Sequence, residues 1–426
     1  MTDGTASAHL LQPKLLAMLR EGYTFDSFRR DAVAGVTVAI VALPLSMAIA
    51  VASGVAPERG LYTAIVGGFV VSALSGSRFQ IGGPAGAFIV LVAAAVTQLG
   101  VSGVLLAVLL SGLMLGLLGL FRVGALVRHI PHAVTVGFTA GIAVTIAASQ
   151  IRDFAGIKLS GHEPGLLIPK LVALFQGLPA LNPWALLIGA TTTALIFVFK
   201  RLKPTWPGML IAVAFGSALA LLLRLPIDTI ASRFGGIPRG LPAPAIPVIS
   251  MQLLASTLPT ALSFTLLGAV ESLLSAKVAD GMTGRKHRSN MELIGQGAAN
   301  VASALFGGIC VTGTIARTAT NIRAGARSPV SGMLHALFLL AFVLVAAPLA
   351  GFIPLAALAG VLMAVSWSMA EKVEFARLLK AWPSAIVLLT TFAGTVLRDL
   401  TAGIVLGCAL AFLLAMLRRR VAEEGA

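Results

Sequence analysis

The sequence predicts an all-α polytopic membrane protein of about fourteen transmembrane segments, arranged as two inverted halves that each contain one short half-helix. Three observations predict it. First, 58% of the 426 residues are hydrophobic, only 11% are charged, and the mean hydropathy is +0.96. A soluble domain carries about 25% charged residues, so this chain cannot cover a water-facing surface of its size. With about 20 residues per span, its length holds roughly fourteen spans and no separate soluble enzyme domain. Second, Ser72-Ala73-Leu74-Ser75-Gly76 returns as Ser303-Ala304-Leu305-Phe306-Gly307, and at the same offset Gly82 aligns with Gly313. Ile130-Pro131-His132-Ala133 is likewise echoed by Ile353-Pro354-Leu355-Ala356. Seven spans separate the copies, and an odd number inverts the second. Third, both copies hold a short, interrupted segment, the sequence mark of a transporter binding site.

The elements follow in order. Residues 1–30 are a polar arm with an amphipathic stretch, Leu10 to Leu19, and lack the pattern of a signal peptide. Apolar runs place spans 1 to 5 near 32–50, 60–76, 84–98, 102–121 and 131–149. Span 3 is short and follows the Gly82-Gly83-Pro84 break. After an interfacial stretch near 164–178 come spans 6 and 7 near 183–200 and 207–224, then a Pro-rich loop from Leu225 to Ile249. Spans 8 and 9 lie near 257–280 and 291–306, and span 10, near 314–325, is short and charged. Spans 11 to 14 lie near 330–350, 353–370, 383–397 and 399–417.

Basic residues test this map. With both termini in the cytoplasm, 22 of the 31 Lys and Arg fall inside, 8 fall outside and Arg317 is left within the membrane. That is the asymmetry of the positive-inside rule. The net charge of +15 is spread over many loops, which argues against nucleic-acid binding. Cys310 and Cys408 give no disulfide framework.

In hydrocarbon every backbone N–H and C=O needs a partner, so irregular backbone survives only against protein or a water cavity. Phe79 to Ala87 is such a stretch. Gly82 and Gly83 permit unusual backbone angles, and Pro84 suits a first helical turn. The helix then begins near mid-membrane, at Pro84-Ala85-Gly86-Ala87, with free N–H groups on Gly86 and its neighbours directed into the break. That end carries partial positive charge and unsatisfied donors, which makes an anion site. Its mate is Gly313-Thr314-Ile315-Ala316-Arg317-Thr318. A nucleotide-binding loop is excluded, since no Gly-Lys-Ser/Thr ending follows.

Arg317 sits at span depth, where insertion costs about 2.5–3.5 kcal/mol. It is read either as a positive field at the anion site or as the partner of a carboxylate, Glu271 being the candidate. Glu271 is the only acid with long apolar sequence on both sides. It is read either as the group coupling H⁺ or Na⁺ movement to substrate, with Ser275, Thr314 and carbonyls near Gly313 as further oxygens, or as a hydrogen bond holding span 8 to span 10. No cofactor other than that coupling ion is called for. Arg128-His129 with His132 lacks a third ligand for a metal. Arg285-Lys286-His287-Arg288 is read as a loop that only fixes topology, and Asp399 as a helix cap. Gly112/Gly116, Gly137/Gly141 and Gly403/Gly407 follow the small-xxx-small pattern, which packing within one chain or in a dimer explains equally.

At these residues the sequence resembles the SulP sulfate-permease-type anion transporters. Asp31-Ala32-Val33-Ala34-Gly35-Val36-Thr37-Val38-Ala39 with Ala42-Leu43-Pro44 looks like their first-span signature, as does Gly60-Leu61-Tyr62-Thr63 followed by Gln80 to Ala87. Glu271-Ser272-Leu273-Leu274 through Arg327 is similar to the bacterial branch, and the resemblance covers about residues 24–417. It implies a UraA-like fold, with a core domain of 31–122 and 257–350 and a gate domain of 123–256 and 351–417. It further implies an anion bound between the starts of spans 3 and 10, an acidic coupling residue on span 8, elevator-like motion and a homodimer. Leu45 stands after Pro44 where the family commonly has Gln, which removes a polar contact from the site. Beyond the tail at 418–426 the usual STAS domain is absent from this sequence. The expectation is a multi-pass transporter of the bacterial inner membrane that carries a small anion (a dicarboxylate such as fumarate, sulfate or bicarbonate) by proton-coupled symport. Sodium-coupled symport and an uncoupled channel or exchanger are its rivals. No catalytic cluster supports an enzyme.

Overall fold

The computed structural model describes residues 11–124, 131–159, 161, 163–204, 206–398 and 400–424. Span 1 is the helix Phe25–Ala52, opened by the Thr24 hydroxyl, which accepts from the Ser27 amide. Span 2 starts at Pro57, a good first-turn residue, and runs through Pro57–Tyr62, a π-turn at Thr63–Gly67, and Gly68–Leu74. The π-turn is invisible to apolar periodicity. Spans 3 and 4 form one run, Gly86–Phe88 in 3-10 form and then Ile89–Leu120, broken at Gly100 with φ 67° and ψ 177°. A straight helix would hold Phe88 and Ser111 about 35 Å apart. Instead Phe88 meets the Phe264 ring at 5.8 Å, and the adjacent Thr265 hydroxyl lies 3.2 Å from Ser111 Oγ. The chain therefore doubles back at Gly100, whose left-handed φ costs glycine little.

Span 5 is His132–Ala155, followed by the amphipathic helix Leu167–Gln176, which buries Leu174 and exposes Ile168, Leu171 and Phe175. Spans 6 and 7 are Pro183–Leu202 and Gly208–Leu222. The Pro-rich loop holds one turn of helix, Ile230–Phe234, opened by a Thr229/Ser232 capping box. Spans 8 to 11 are Met251–Thr283, Ser289–Leu305, Ile315–Arg323 and Val330–Ala350. Span 12, Leu355–Met369, leads into Lys372–Leu378, and spans 13 and 14 are Trp382–Leu397 and Leu400–Glu424. Seven of the described helices are long and apolar enough to cross a membrane unaided. Outward-facing Leu117, Leu344, Val345 and Phe412 are exposed, as lipid-facing positions must be.

The repeat read from the sequence is a physical contact. Gly82–Gly83 (β1) and Thr312–Gly313 (β2) pair antiparallel, with Gly82 opposite Gly313. Those are the two residues the repeat aligns, so the axis relating the halves passes through their pairing. Pro131 and Pro354 open spans 5 and 12 with nearly the same backbone, φ −65°, ψ 143° and φ −68°, ψ 140°.

Spans 1–4 and 8–11 pack on one another, as do spans 5–7 and 12–14. The three glycine pairs serve helix contacts inside the chain. A Cβ at Gly112 would lie 2.7 Å from the Gly297 carbonyl of span 9. Gly137, Gly141, Gly403 and Gly407 all abut Leu388, Thr391 or Thr395 of span 13.

The basic loop does more than fix topology, contrary to the sequence reading. His287 Nδ1 lies 2.6 Å from Asp280 Oδ2, and Arg288 donates from its side chain to the Gln12 carbonyl and from its amide to the Gly76 carbonyl. These bonds tie the arm helix Lys14–Glu21 to the ends of spans 2 and 8, and Arg78 pairs with Glu21 beside them. His132 Nε2 lies 3.0 Å from Glu374 Oε1; Arg128, His129, Ile130, Asp399 and Leu10 lie outside the described residues.

Asp31 is fully buried at the start of span 1. Its carboxylate accepts from the Arg327 and Ser328 amides at 2.6 and 3.1 Å, from Ser328 Oγ at 2.5 Å and from Tyr23 at 2.8 Å. It thereby fixes the turn between spans 10 and 11. Asp31→Ala strands two amides and two hydroxyls, and should cost about 3 kcal/mol or more. A thermal midpoint in detergent lowered by several degrees, with Asp31→Asn intermediate, is the expected result.

Candidate functional site

The β1–β2 pair satisfies irregular backbone at the centre of the protein, and one helix leaves each strand. After Gly83, Pro84 lies outside any helix, Ala85 is extended at φ −115°, ψ 143°, and helix begins only at Gly86. Pro84 is therefore not in the first turn, as the sequence reading had it. Its carbonyl is instead an acceptor inside the site. After Gly313, Thr314 is extended, makes no side-chain cap bond, and helix begins at Ile315. The opening amides of both helices, at Gly86 and Ala87 and at Ile315, Ala316 and Arg317, have no intrahelical acceptor. Thr314 is itself held by its amide to the Ile81 carbonyl at 3.1 Å. Gly313 has no room for a side chain, since a Cβ there would lie 1.3 Å from Gln80 Nε2.

Arg317, on the first turn of span 10, is 2% exposed. Its Nη2 donates to Ser46 Oγ and to the Pro84 carbonyl, both at 3.2 Å. Nε and Nη1 are buried without a partner, and a Cβ on Gly83 would touch Nη1 at 2.0 Å. No carboxylate forms an ion pair with it among the described residues, so the guanidinium is not neutralised by Glu271. It reaches from span 10 to the break before span 3, placing its charge between the two helix starts.

Glu271 is 7% exposed on span 8, and no described donor reaches its carboxylate. One turn later Ser275 Oγ donates to Thr318 Oγ1 at 3.3 Å, and Thr318 Oγ1 also accepts from the Ile81 amide at 3.1 Å. Ser272 serves both strands. Its carbonyl accepts from Gln80 Nε2 at 3.0 Å and its hydroxyl faces the Gly313 amide at 3.4 Å. Of the residues expected as cation ligands, Ser275 turns its hydroxyl proton to Thr318, and Gly313 is held through its amide.

Three residues of this arrangement escaped the sequence reading. Ser46 lies one position beyond Leu45, whose apolar side chain is buried in a cluster with Ala85, Ala87, Phe138 and Ile142. Gln80 and Thr318 stand in the stretches quoted for the two breaks, yet only the fold reveals what they hold. Opposite Gly86 lie Ile146 of span 5 and Met369 at the end of span 12, 3.1 and 3.7 Å from a Cβ position on the glycine. Ala316 is exposed, while Thr314 and Ile315 are half-buried.

The sequence profile of the Sulfate permease family matches residues 28–393. YvdB of Bacillus subtilis, provisionally named a sulfate transporter, is 43% identical over 406 residues, which cover 95% of this chain and 76% of that protein. The bicarbonate transporter BicA of Synechocystis is 32% identical over 415 residues, 94% of this chain and 72% of its own length. Among solved structures, the transmembrane domain of a cyanobacterial BicA superposes with a TM-score of 0.80 at 33% identity, covering 89% of this chain and 98% of that domain. SLC26A9 superposes with a TM-score of 0.87 at 18% identity, over 97% of this chain and 69% of its own, a likeness of fold alone. The fold is the UraA-like one of these membrane domains, and the relatives are named as transporters, not enzymes.

Gly313→Ala should drive its methyl into Gln80, open the β1–β2 pair and lower the thermal midpoint. Adding Gln80→Ala should recover part of that loss. Equal midpoints for the single and double variants would show that the clash at Gln80 is not the cause.

Proposed function

The chain belongs to the sulfate permease family, and we propose that it is a secondary active transporter that carries a small inorganic oxyanion, sulfate or bicarbonate, in symport with protons. The observation that carries the reading is the Arg317 guanidinium, buried between two helix N-termini and lacking a carboxylate. A buried charge is stable only when paired and hydrogen-bonded. A hydrogen bond to a charged group contributes about 1.5–3 kcal/mol, and each helix start adds about 0.3–1 kcal/mol for an anion. An oxyanion between Gly86–Ala87 and Ile315–Arg317 supplies that missing partner. The relatives' names point to the same substrate class.

Proton rather than sodium coupling is favoured by the surroundings of Glu271. A sodium cage needs several convergent oxygens, whereas Ser275 Oγ turns its proton to Thr318 and the Gly313 carbonyl faces Thr312 Oγ1 at 3.4 Å, so neither is hydrogen-bonded to Glu271. A lone carboxylate suits a proton, which needs one oxygen. Protonation of Glu271 would remove a negative charge from the core as the anion enters, making uptake of the two interdependent. The mechanism we infer moves spans 1–4 and 8–11, the core, along spans 5–7 and 12–14, the gate, with Ile146 and Met369 sliding past Gly86. The same reading puts both termini in the cytoplasm of a bacterial inner membrane, in a homodimer.

The test is uptake of labelled sulfate, bicarbonate and fumarate into proteoliposomes under imposed pH or Na⁺ gradients. An inward proton gradient should accumulate sulfate or bicarbonate, and Glu271→Gln should abolish accumulation while leaving exchange. Arg317→Gln should raise the half-saturating anion concentration about 10- to 100-fold. Flux indifferent to both gradients would leave an uncoupled channel or exchanger; accumulation driven by Na⁺ alone would replace the proton.

A further inference from the structure

Away from the anion site, a second basic feature has an architecture of its own. A cavity of about 450 Å³ opens between the ends of spans 6 and 12, lined by Phe197, Lys200, Arg201, Trp367, Ser368 and Lys372. Lys200 Nζ donates to Ser368 Oγ at 3.1 Å, and Lys372 Nζ stands 3.0 Å above the centre of the Trp367 ring. Among the described residues none of the three cations forms an ion pair. Of the nearby acids, Glu374 is engaged by His132 and Arg377, and Glu371, beside Lys372 in sequence, is exposed and does not line the cavity. Three positive groups thus line one cavity with no ion-pair partner among the described residues, and a ligand of opposite charge would relieve their mutual repulsion.

We propose that this cavity binds the phosphate headgroup of an anionic phospholipid. Depth in the membrane separates a lipid from a soluble phosphate. Trp184 opens span 6 and is exposed, and Lys200–Arg201 follow roughly 25 Å further along the helix axis. That distance is close to the hydrocarbon thickness of about 30 Å, so the cavity sits at the opposite headgroup level. Exposed Trp206, Trp367 and Trp382 cluster in the chain around this end, as residues of an interfacial belt do. Ala194 and Val198, one turn apart and both exposed, lie on the membrane side of Lys200 on span 6 and give acyl chains an apolar face. Basic pockets between membrane helices take anionic headgroups by this chemistry. Both helices belong to the set of spans 5–7 and 12–14, so the lipid would clamp that set alone.

The test is native mass spectrometry of the full-length protein, delipidated and then titrated with phosphatidylglycerol or phosphatidylcholine. Phosphatidylglycerol should be retained preferentially. Lys200→Gln should weaken its retention about fivefold, and the triple variant Lys200→Gln, Arg201→Gln, Lys372→Gln more than tenfold. The exposed pair Arg285→Gln, Lys286→Gln should change nothing, and size-exclusion profiles of all variants establish that they are folded. If the triple variant does not fold, Lys200→Gln alone decides. Unchanged retention in the cavity variants, or equal loss in the Arg285/Lys286 pair, would overturn the proposal. Competition of inorganic phosphate with the lipid at matched concentration would overturn it in favour of a soluble phosphate site.

Discussion

Two strands of two residues each govern this structure. Membrane interiors tolerate non-helical backbone only when its polar groups find protein partners, and here Gly82–Gly83 and Thr312–Gly313 supply each other. The surrounding side chains extend that satisfaction outward. Ser272 of span 8 holds Gln80 and Gly313, and Ser275 of span 8 backs Thr318 of span 10, which holds Ile81. Only because the break is stabilised in this way can two helices begin inside the protein with amides free for a ligand. Arg317 then adds a full charge to two partial ones.

Much of this is legible in the sequence. The aligned glycines of the repeat are the ones that pair, and the breaks fall where Gly and Pro interrupt apolar runs. Glu271 and Arg317 stood out because charge at span depth is costly and rare. What periodicity could not convey was side-chain reach. Arg317 extends to Ser46 and Pro84 across the repeat, a contact spanning 271 positions in the first case, and nothing local in either segment encodes it. Proline's preference for first turns places Pro84 in the helix, yet Ala85 is extended and the helix starts two residues after Pro84, at Gly86. The π-turn at Thr63 was hidden for a related reason: Thr63 Oγ1 accepts from the Ile309 amide at 2.7 Å, and that tertiary bond has no signature in apolar spacing.

Polar contacts at the ends of the helices are as specific as those at the centre. Asp31 gathers four donors from segments almost 300 positions apart in sequence. His287 and Arg288 join span 8, the arm and span 2. Between these ends the helices meet through glycine and alanine surfaces, where close backbone approach replaces the hydrophobic drive that lipid removes. The result is a body of spans 1–4 and 8–11 cross-linked by hydrogen bonds at several levels, facing a second set across a largely apolar seam with Leu45, Ile146 and Met369 in it.

The pairing of Gly82 with Gly313 also sets a timetable for biosynthesis. When the first strand enters the membrane its partner lies some 230 positions away and has not been made. At about 5–20 residues per second, the ribosome needs roughly 10–50 s to deliver it. During that interval the carbonyls and amides around Gly82 face the bilayer, the insertion machinery or trapped water. The first half of the chain must therefore wait as an open intermediate, and its permanent fold is conferred by the second half.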